Sequence, residues 1–494
     1  MLKLILSQAN WGILGAIFGF SIGFFVKIYL IDIVGLDSWG KYVITQTFAS
    51  FSETILSIGI PFVIIKFFPS FIKENQAKAS RIANIFLKYA LIVGSGYVVL
   101  IYFFSNYINH FIYSDIDSLS LLLFIASVHV PISMLFGVII SLYRSILKIK
   151  EIVVYGTVVN VIVRAILTFI IFQFTNDIVY FIILEIFTQI LVLFIMLYLF
   201  NKNEFKIFLK SDYNEVIDDI KMIGYGKKMF YNSIVSFIAS QGLSFIIAIR
   251  LSSADVGAYN ILLTLTGLTT FLLINLNKVF APAISKLYHE KRYGEMNLLY
   301  KKTTFLFNLF AIPLAVLIAL FSDEILGLYT SDMLVYKNYL YYMLVGGILS
   351  LATGSSGTFM IMAGLEKQNL NIQFIRALSL IFLSLLLIPI IGLLSVVCLY
   401  VISNLFVNGA QVIYIAKHLK ISPFSKELFF IFGLTILAMY FAINQEFVFQ
   451  IFHFITVPIL VYVCYFGILF KPFKNLVNEK NDFSNVRVII ELIG

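Results

Sequence analysis

Apolar runs of about 20 residues recur along this chain, which is the length a helix needs to cross the hydrocarbon core of a bilayer. The runs are continuously apolar, where a membrane barrel would alternate apolar and polar residues along each strand. Lipid offers no hydrogen bonds, so each run must satisfy its own backbone as a helix. Hydrophobic residues make up 61% of the 494 and charged residues 12%, with a mean hydropathy of +0.98. A soluble domain cannot bury that much apolar surface. The sequence therefore specifies an all-α polytopic membrane protein.

Counting apolar runs between charged breaks gives fourteen spans, near 11–33, 42–65, 82–104, 119–143, 152–173, 179–200, 229–249, 256–281, 303–321, 338–363, 370–391, 393–416, 427–443 and 447–470. Only Pro389 and Gly392 mark the break between the eleventh and twelfth, so twelve or thirteen spans are alternatives. The first run has no cleavage pattern behind it and is longer than a signal-peptide core, which makes it a retained span. Basic residues cluster in alternate connections: Lys66 to Arg81, Arg144 to Lys150, Lys202 to Lys228, Lys286 to Lys302, Lys367, and Lys417 to Lys426. Basic loops stay inside, so both termini are expected in the cytoplasm of a bacterial inner-membrane protein. The net charge of +9 is spread over these loops, which fits topology better than a nucleic-acid partner. Cys398 and Cys464 both lie in apolar runs and give neither a disulfide framework nor a metal spacing.

The chain also repeats. "SWGKYVITQTF" begins at Ser38 and "DVGAYNILLTL" at Asp255, and an offset of 257 − 40 = 217 superposes Gly40 on Gly257 and Tyr42 on Tyr259. The same shift places Gly137 on Gly354 and Lys150 on Lys367. Six spans then recur as six, in the same orientation, giving two parallel lobes of the kind alternating-access carriers use. The expected organisation is a first lobe at 1–200, a cytoplasmic linker at 201–228, and a second lobe at 229–416. Two further spans at 417–470 and a cytoplasmic tail at 471–494 complete it. Val216, Ile217, Ile220 and Ile223 suggest that the linker is an amphipathic helix. The repeated Gly-x-Tyr reads as a tight turn with an interfacial tyrosine.

Several spans carry polar stripes at helical spacing. Gly12, Ala16, Gly19, Gly23 and Lys27 share a face of the first span, and the second aligns Gln46, Ser50, Glu53 and Ser57. The fifth aligns Thr157, Asn160, Arg164 and Thr168, the eighth Asn260, Thr264, Gly267, Asn275 and Lys278, and the eleventh Asn369, Gln373, Arg376 and Ser379. A central Arg or Lys facing lipid costs about 2.5–3.5 kcal/mol, so such faces turn to a wet cavity or to one another. Lys27, Glu53, Arg164 and Arg376 are accordingly either pathway groups or interhelical ion pairs. Lys278 is near enough to a helix end to snorkel, as an alternative to a pathway role. Glu185, in the sixth span, is either a proton-titrating group or an interface carboxylate. Cations outnumber carboxylates in this set, which suits an anionic, phosphate-bearing lipid, although Glu53 runs against the trend. No nucleotide-binding, nucleophile–base or metal motif is present. The outer connections are short, which argues against a membrane-embedded polysaccharide polymerase or ligase.

The stretches "GLDSWGKYVITQTF", "SIGIPFVIIKFFPSF", "LYRSILKIK" and "LSSADVGAYNILLTL" resemble the polysaccharide transporters of the multidrug/oligosaccharidyl-lipid/polysaccharide exporter superfamily, which include O-antigen and capsule repeat-unit flippases. The resemblance covers residues 1 to about 470. It implies two six-helix lobes around a cationic cavity and movement of an undecaprenyl-diphosphate-linked oligosaccharide between leaflets. It also implies a proton or sodium gradient in place of a cofactor, and a link to polysaccharide polymerase machinery. Lys27 and Lys278 match the family's cationic positions by span, whereas Glu53 stands where a cation is usual. A lipid II flippase or a multidrug/cation antiporter of the same fold are the alternatives.

Overall fold

The computed structural model describes residues 2–74, 76–113, 116, 119–207, 219–426, 428–430 and 432–433. The expected spans near 427–443 and 447–470 fall outside the described residues apart from those last few, as do the tail and positions 208–218 of the linker. The described residues form helices joined by short turns, with no strand among them. Contacts group it into two compact units, residues 1–260 with 328–330, and residues 261–327 with everything from 331 onward.

The first unit starts with α1 (Leu2–Leu56), α2 (Ile60–Glu74), α3 (Gln76–Ile112) and α4 (Leu119–Ser145). Next, α5 (Ile149–Glu151), a π-helical stretch (Ile152–Val159) and α6 (Asn160–Ile171) run on as one span. The unit ends with α7 (Val179–Leu199), α8 (Asp219–Arg250) and the start of α9 (Ser253–His289). Its core is a seam of apolar side chains from α2, α3, α4 and α7, including Phe68, Ala83, Val130, Leu142 and Met196. α8 begins at Asp219, so Ile223 of the expected linker helix sits within a span-length helix.

The first two expected spans are not separated by a loop. They form α1, which changes direction at Gly35 (φ 79°, ψ 166°), a conformation a side chain would disfavour. The second expected span, 42–65, is in turn divided at Ile58 (φ 45°) and Gly59 (φ 72°), where α1 gives way to α2. A helix broken inside a membrane must find other partners for its free carbonyls. Here the Tyr89 hydroxyl of α3 donates to the Leu56 carbonyl at 2.9 Å.

The repeated glycine does something other than turn the chain. Gly40 lies within α1, and a Cβ there would collide with the Ser253 carbonyl. A Cβ on Gly257 would collide with the Leu36 carbonyl and crowd the Gly40 amide. The two glycines thus let α1 and the start of α9 approach backbone to backbone, and the Ser253 hydroxyl bonds Asp37 beside them. Neither tyrosine is an interfacial anchor: Tyr259 is 2% exposed and Tyr42 is taken up in a polar cluster described below. Gly40→Leu should lower the thermal midpoint of the purified protein by the equivalent of about 2 kcal/mol, as expected for overpacking. Gly96→Leu, at a glycine with open space around it, should leave the midpoint unchanged.

In the second unit, α9 continues, followed by α10 (Tyr293–Leu320), α11 (Ser322–Gly327) and a 3-10 turn (Ser331–Tyr336). Then come α12 (Lys337–Leu351), α13 (Ser356–Met362), α14 (Glu366–Ile391) and α15 (Leu393–Leu419). The weak break expected between the eleventh and twelfth spans is real: Gly392 (φ 55°) separates α14 from α15, which pack against each other. The tenth expected span is interrupted between α12 and α13, where Gly354 has φ 62°. Its sequence counterpart Gly137 lies inside α4, so the repeat does not extend to this kink. The free carbonyls are again met from a neighbouring helix. Tyr300 donates to Thr353 at 2.7 Å and the Asn308 amide donates to Leu351 at 2.8 Å.

Outside the spans, Lys148 bonds Glu204 at 2.9 Å and lies 3.7 Å from Glu151. The hydrogen bond to Glu204 holds its ammonium above the usual lysine range. A raised lysine stabilises the fold below its unfolded-state value and loses that contribution only as pH rises through the folded-state value, so this corner is insensitive to pH near neutrality.

Candidate functional site

The polar stripes of the first unit resolve into three arrangements with different chemistry. In the first, Lys27 of α1 donates to the Asn260 side-chain oxygen at 2.6 Å and approaches the Asn260 carbonyl at 3.4 Å. Its ammonium stands 5.2 Å from the centre of the Trp39 ring. An amide oxygen, a carbonyl and an aromatic face are all groups that attract a cation. Asn260 had been legible only as one member of the stripe on the eighth span.

The second arrangement is a closed ion-pair network. Arg164 of α6 donates to one Glu185 oxygen at 2.5 Å. The other oxygen accepts from the Tyr42 hydroxyl at 2.9 Å and the Gln46 amide at 2.8 Å. Glu185 on α7 is only 8% exposed, a buried carboxylate with three donors. His129 of α4 lies beside Gln189, one turn along α7. Arg164 and Glu185 therefore neutralise each other, the alternative that the stripes had left open.

The third is Glu53 of α1, whose carboxylate accepts from the Ser133 hydroxyl of α4 at 2.8 Å. None of the ion pairs formed among the described residues involves it. The contrast with Glu185 is sharp, since one membrane carboxylate is charge-matched and the other has a hydroxyl.

The second unit holds its polar groups as an amide ladder between α14 and α15. Arg376 donates to the Asn404 side chain at 3.0 Å. Gln411 donates to Asn369 at 2.8 Å and accepts from Ser356 of α13 at 2.6 Å. Asn408 donates to the Ser350 hydroxyl of α12. Asn369 and Arg376 were visible as part of the stripe on the eleventh span, and the structure sets that stripe against Asn404 and Gln411 of α15. Lys278 lies on α9 and its side chain falls outside the described residues. Among the described residues no group of three or more His, Cys, Asp or Glu could hold a metal ion.

A family model for polysaccharide biosynthesis proteins matches residues 33–335. The chain belongs to that family. Glu53, Arg164, Glu185 and Lys278 of this polysaccharide biosynthesis protein lie within the matched segment, whereas Lys27 precedes it and Arg376 follows it. No curated protein matches the chain. Among solved structures, the lipid II flippase MurJ in an inward closed conformation is similar at TM-score 0.71 and 17% identity, with 95% of this chain and 99% of that one covered. A multidrug resistance MATE family transporter of the MOP superfamily, inward-facing, is similar at TM-score 0.64 and 15% identity, covering 87% and 100%. A MOP superfamily transporter from Pyrococcus furiosus follows at TM-score 0.58 and 14% identity, covering 84% and 95%. All three are flippases or transporters. At these identities the likeness is one of fold, which this family member shares: a polytopic, all-α membrane architecture.

Proposed function

We propose that this family member is a flippase, moving undecaprenyl-diphosphate-linked oligosaccharide repeat units across the bacterial cytoplasmic membrane for surface polysaccharide synthesis. In this reading it works by alternating access coupled to a proton or sodium gradient, with both termini cytoplasmic, and delivers its cargo to polymerase machinery. The observation that carries the reading is Lys27, a membrane-span ammonium held by the Asn260 amide and the Trp39 ring. An ammonium at this place brings positive charge into the span where a diphosphate could be met, whereas the charge of Arg164 is matched by Glu185 at 2.5 Å. Family membership in polysaccharide biosynthesis and the flippase fold point the same way. A cationic drug would be repelled at Lys27, which disfavours the multidrug antiporter.

The test is deletion of the gene in its own host, with lipid-linked oligosaccharide measured by mass spectrometry and surface polysaccharide assayed in parallel. Accumulated undecaprenyl-diphosphate oligosaccharide with loss of surface polymer supports the flippase. An unchanged pool with altered drug sensitivity overturns it.

In the same reading Glu53 is the coupling group, because a carboxylate held, among the described residues, by the Ser133 hydroxyl and by no ion pair can exchange a proton or a sodium ion. Glu53→Gln keeps a hydrogen bond to Ser133 and removes the charge. Transport in proteoliposomes should then lose its dependence on an imposed gradient, with the gradient-driven rate falling about tenfold toward the ungated rate. A variant that still responds to the gradient assigns coupling elsewhere.

A further inference from the structure

A cavity of about 410 Å³ opens in the first unit where α1 breaks into α2 and both meet α3 and the start of α8. Ile58, Val63, Ile82, Ile85 and Met222 line it, and Lys227 is the charged residue among its walls. The break itself creates the space. Ile58 and Gly59 leave the helical path there, and α8 passes so close that a Cβ on Gly59 would meet the Gly226 carbonyl at 2.7 Å. A cavity near 150 Å³ lined by such side chains holds one benzene. By that ratio, 410 Å³ accommodates on the order of sixteen carbons, the length of one fatty-acyl chain and far short of a long prenyl tail.

The rim carries positive charge. Lys227 and Lys228 are exposed on α8, and Lys66 of α2 lies 3.9 Å from the ring centre of Tyr225, one turn from the cavity wall. We propose that this cavity binds one acyl chain of an anionic phospholipid, with the phosphate of that lipid against Lys227. The apolar wall excludes a free phosphate as the main ligand, and the volume excludes a complete prenyl tail. The bound lipid ties α8 to α2 and α3 at the point where α1 is broken. This inference does not rest on the cargo proposed above.

The full chain, purified in detergent, is mixed with palmitoyl-oleoyl phosphatidylglycerol or phosphatidylcholine, and retained lipid is read by native mass spectrometry. One phosphatidylglycerol should be retained per chain in preference to phosphatidylcholine. Lys227→Gln should weaken its retention about fivefold, the effect of one lysine at an anionic lipid surface. Ile85→Trp should abolish it by filling the cavity, and because Lys227→Gln alters only an exposed side chain, the inference stays testable if the tryptophan variant fails to fold. Equal retention of the two lipids, or phosphatidylglycerol retention unchanged in Lys227→Gln, overturns the proposal. So does displacement of the phospholipid by a prenyl diphosphate at equal concentration, which would make the cavity a cargo site.

Discussion

Replacing Lys27 by glutamine should cut surface polysaccharide to below about a tenth of the wild-type level and leave the amount of protein in the membrane unchanged. The reasoning separates fold from transport. Lys27 contributes its ammonium to Asn260 at 2.6 Å, and a glutamine amide can still donate there, so the helix contact survives. What disappears is the positive charge available to a phosphate. Truncating one side of a desolvated, hydrogen-bonded charge pair typically costs 2–5 kcal/mol of binding, or about 30-fold and upward. Lys27→Arg should restore part of the export, since it returns the charge in a different shape. The check is quantitative complementation of a deletion strain with membrane protein measured by immunoblot. Full export by Lys27→Gln would place the diphosphate elsewhere.

Arg164→Met should have the largest effect on stability. It leaves Glu185 buried with two neutral donors, Tyr42 and Gln46, and no countercharge. Breaking a buried pair from one side costs about 3–5 kcal/mol. The low end applies because the Arg164 side chain keeps 29% exposure. Pairing it with Glu185→Gln removes the orphaned charge and should recover most of the loss. Tyr42→Phe removes one donor of three and should cost about 0.6 kcal/mol, the typical worth of a hydrogen bond between membrane helices. Thermal unfolding of the purified variants orders these effects. If Arg164→Met matched Tyr42→Phe, the pair would carry no special weight, and a pathway role for Arg164 would regain ground.

What could be read in the sequence follows a physical rule. Helical period is local, so the stripes holding Lys27, Glu53, Arg164 and Arg376 were legible, and so was the need for each to avoid lipid. Partner choice is not local. Arg164 and Glu185 sit in successive spans 21 residues apart, and their pairing was the nearest to being legible. Lys27 and Asn260 are 233 residues apart, and nothing in either stripe selects the other. Tyr42 was misread because a tyrosine near a span end is usually interfacial; that it shares a face with Gln46, four residues on, was the clue to its place beside Glu185. The break at Ile58 and Gly59 had only Gly59 and Pro61 to mark it inside a continuous apolar run, and the same pair of residue types, Pro389 and Gly392, marked the turn that was read correctly. Gly40 and Gly257 announced themselves by recurrence, but their role depends on a crossing that only three dimensions display.

That crossing has a history written into its numbering. Gly40 meets residue 253, and Gly257 meets residue 36, so subtracting the repeat offset from the second side returns the first pair in reverse order: 253 − 217 = 36 and 257 − 217 = 40. Residue i touching j′ while j touches i′ defines an isologous contact, the kind two identical subunits make about a twofold axis. A half-length ancestor pairing with its own copy would form this contact from a single glycine codon, and one substitution there would have struck both sides together. In the present chain each side has its own codon, and the flanking positions differ: Asp37 stands where the second half has Ala254, and Ser253 where the first has Leu36, while the glycines at the axis are the same.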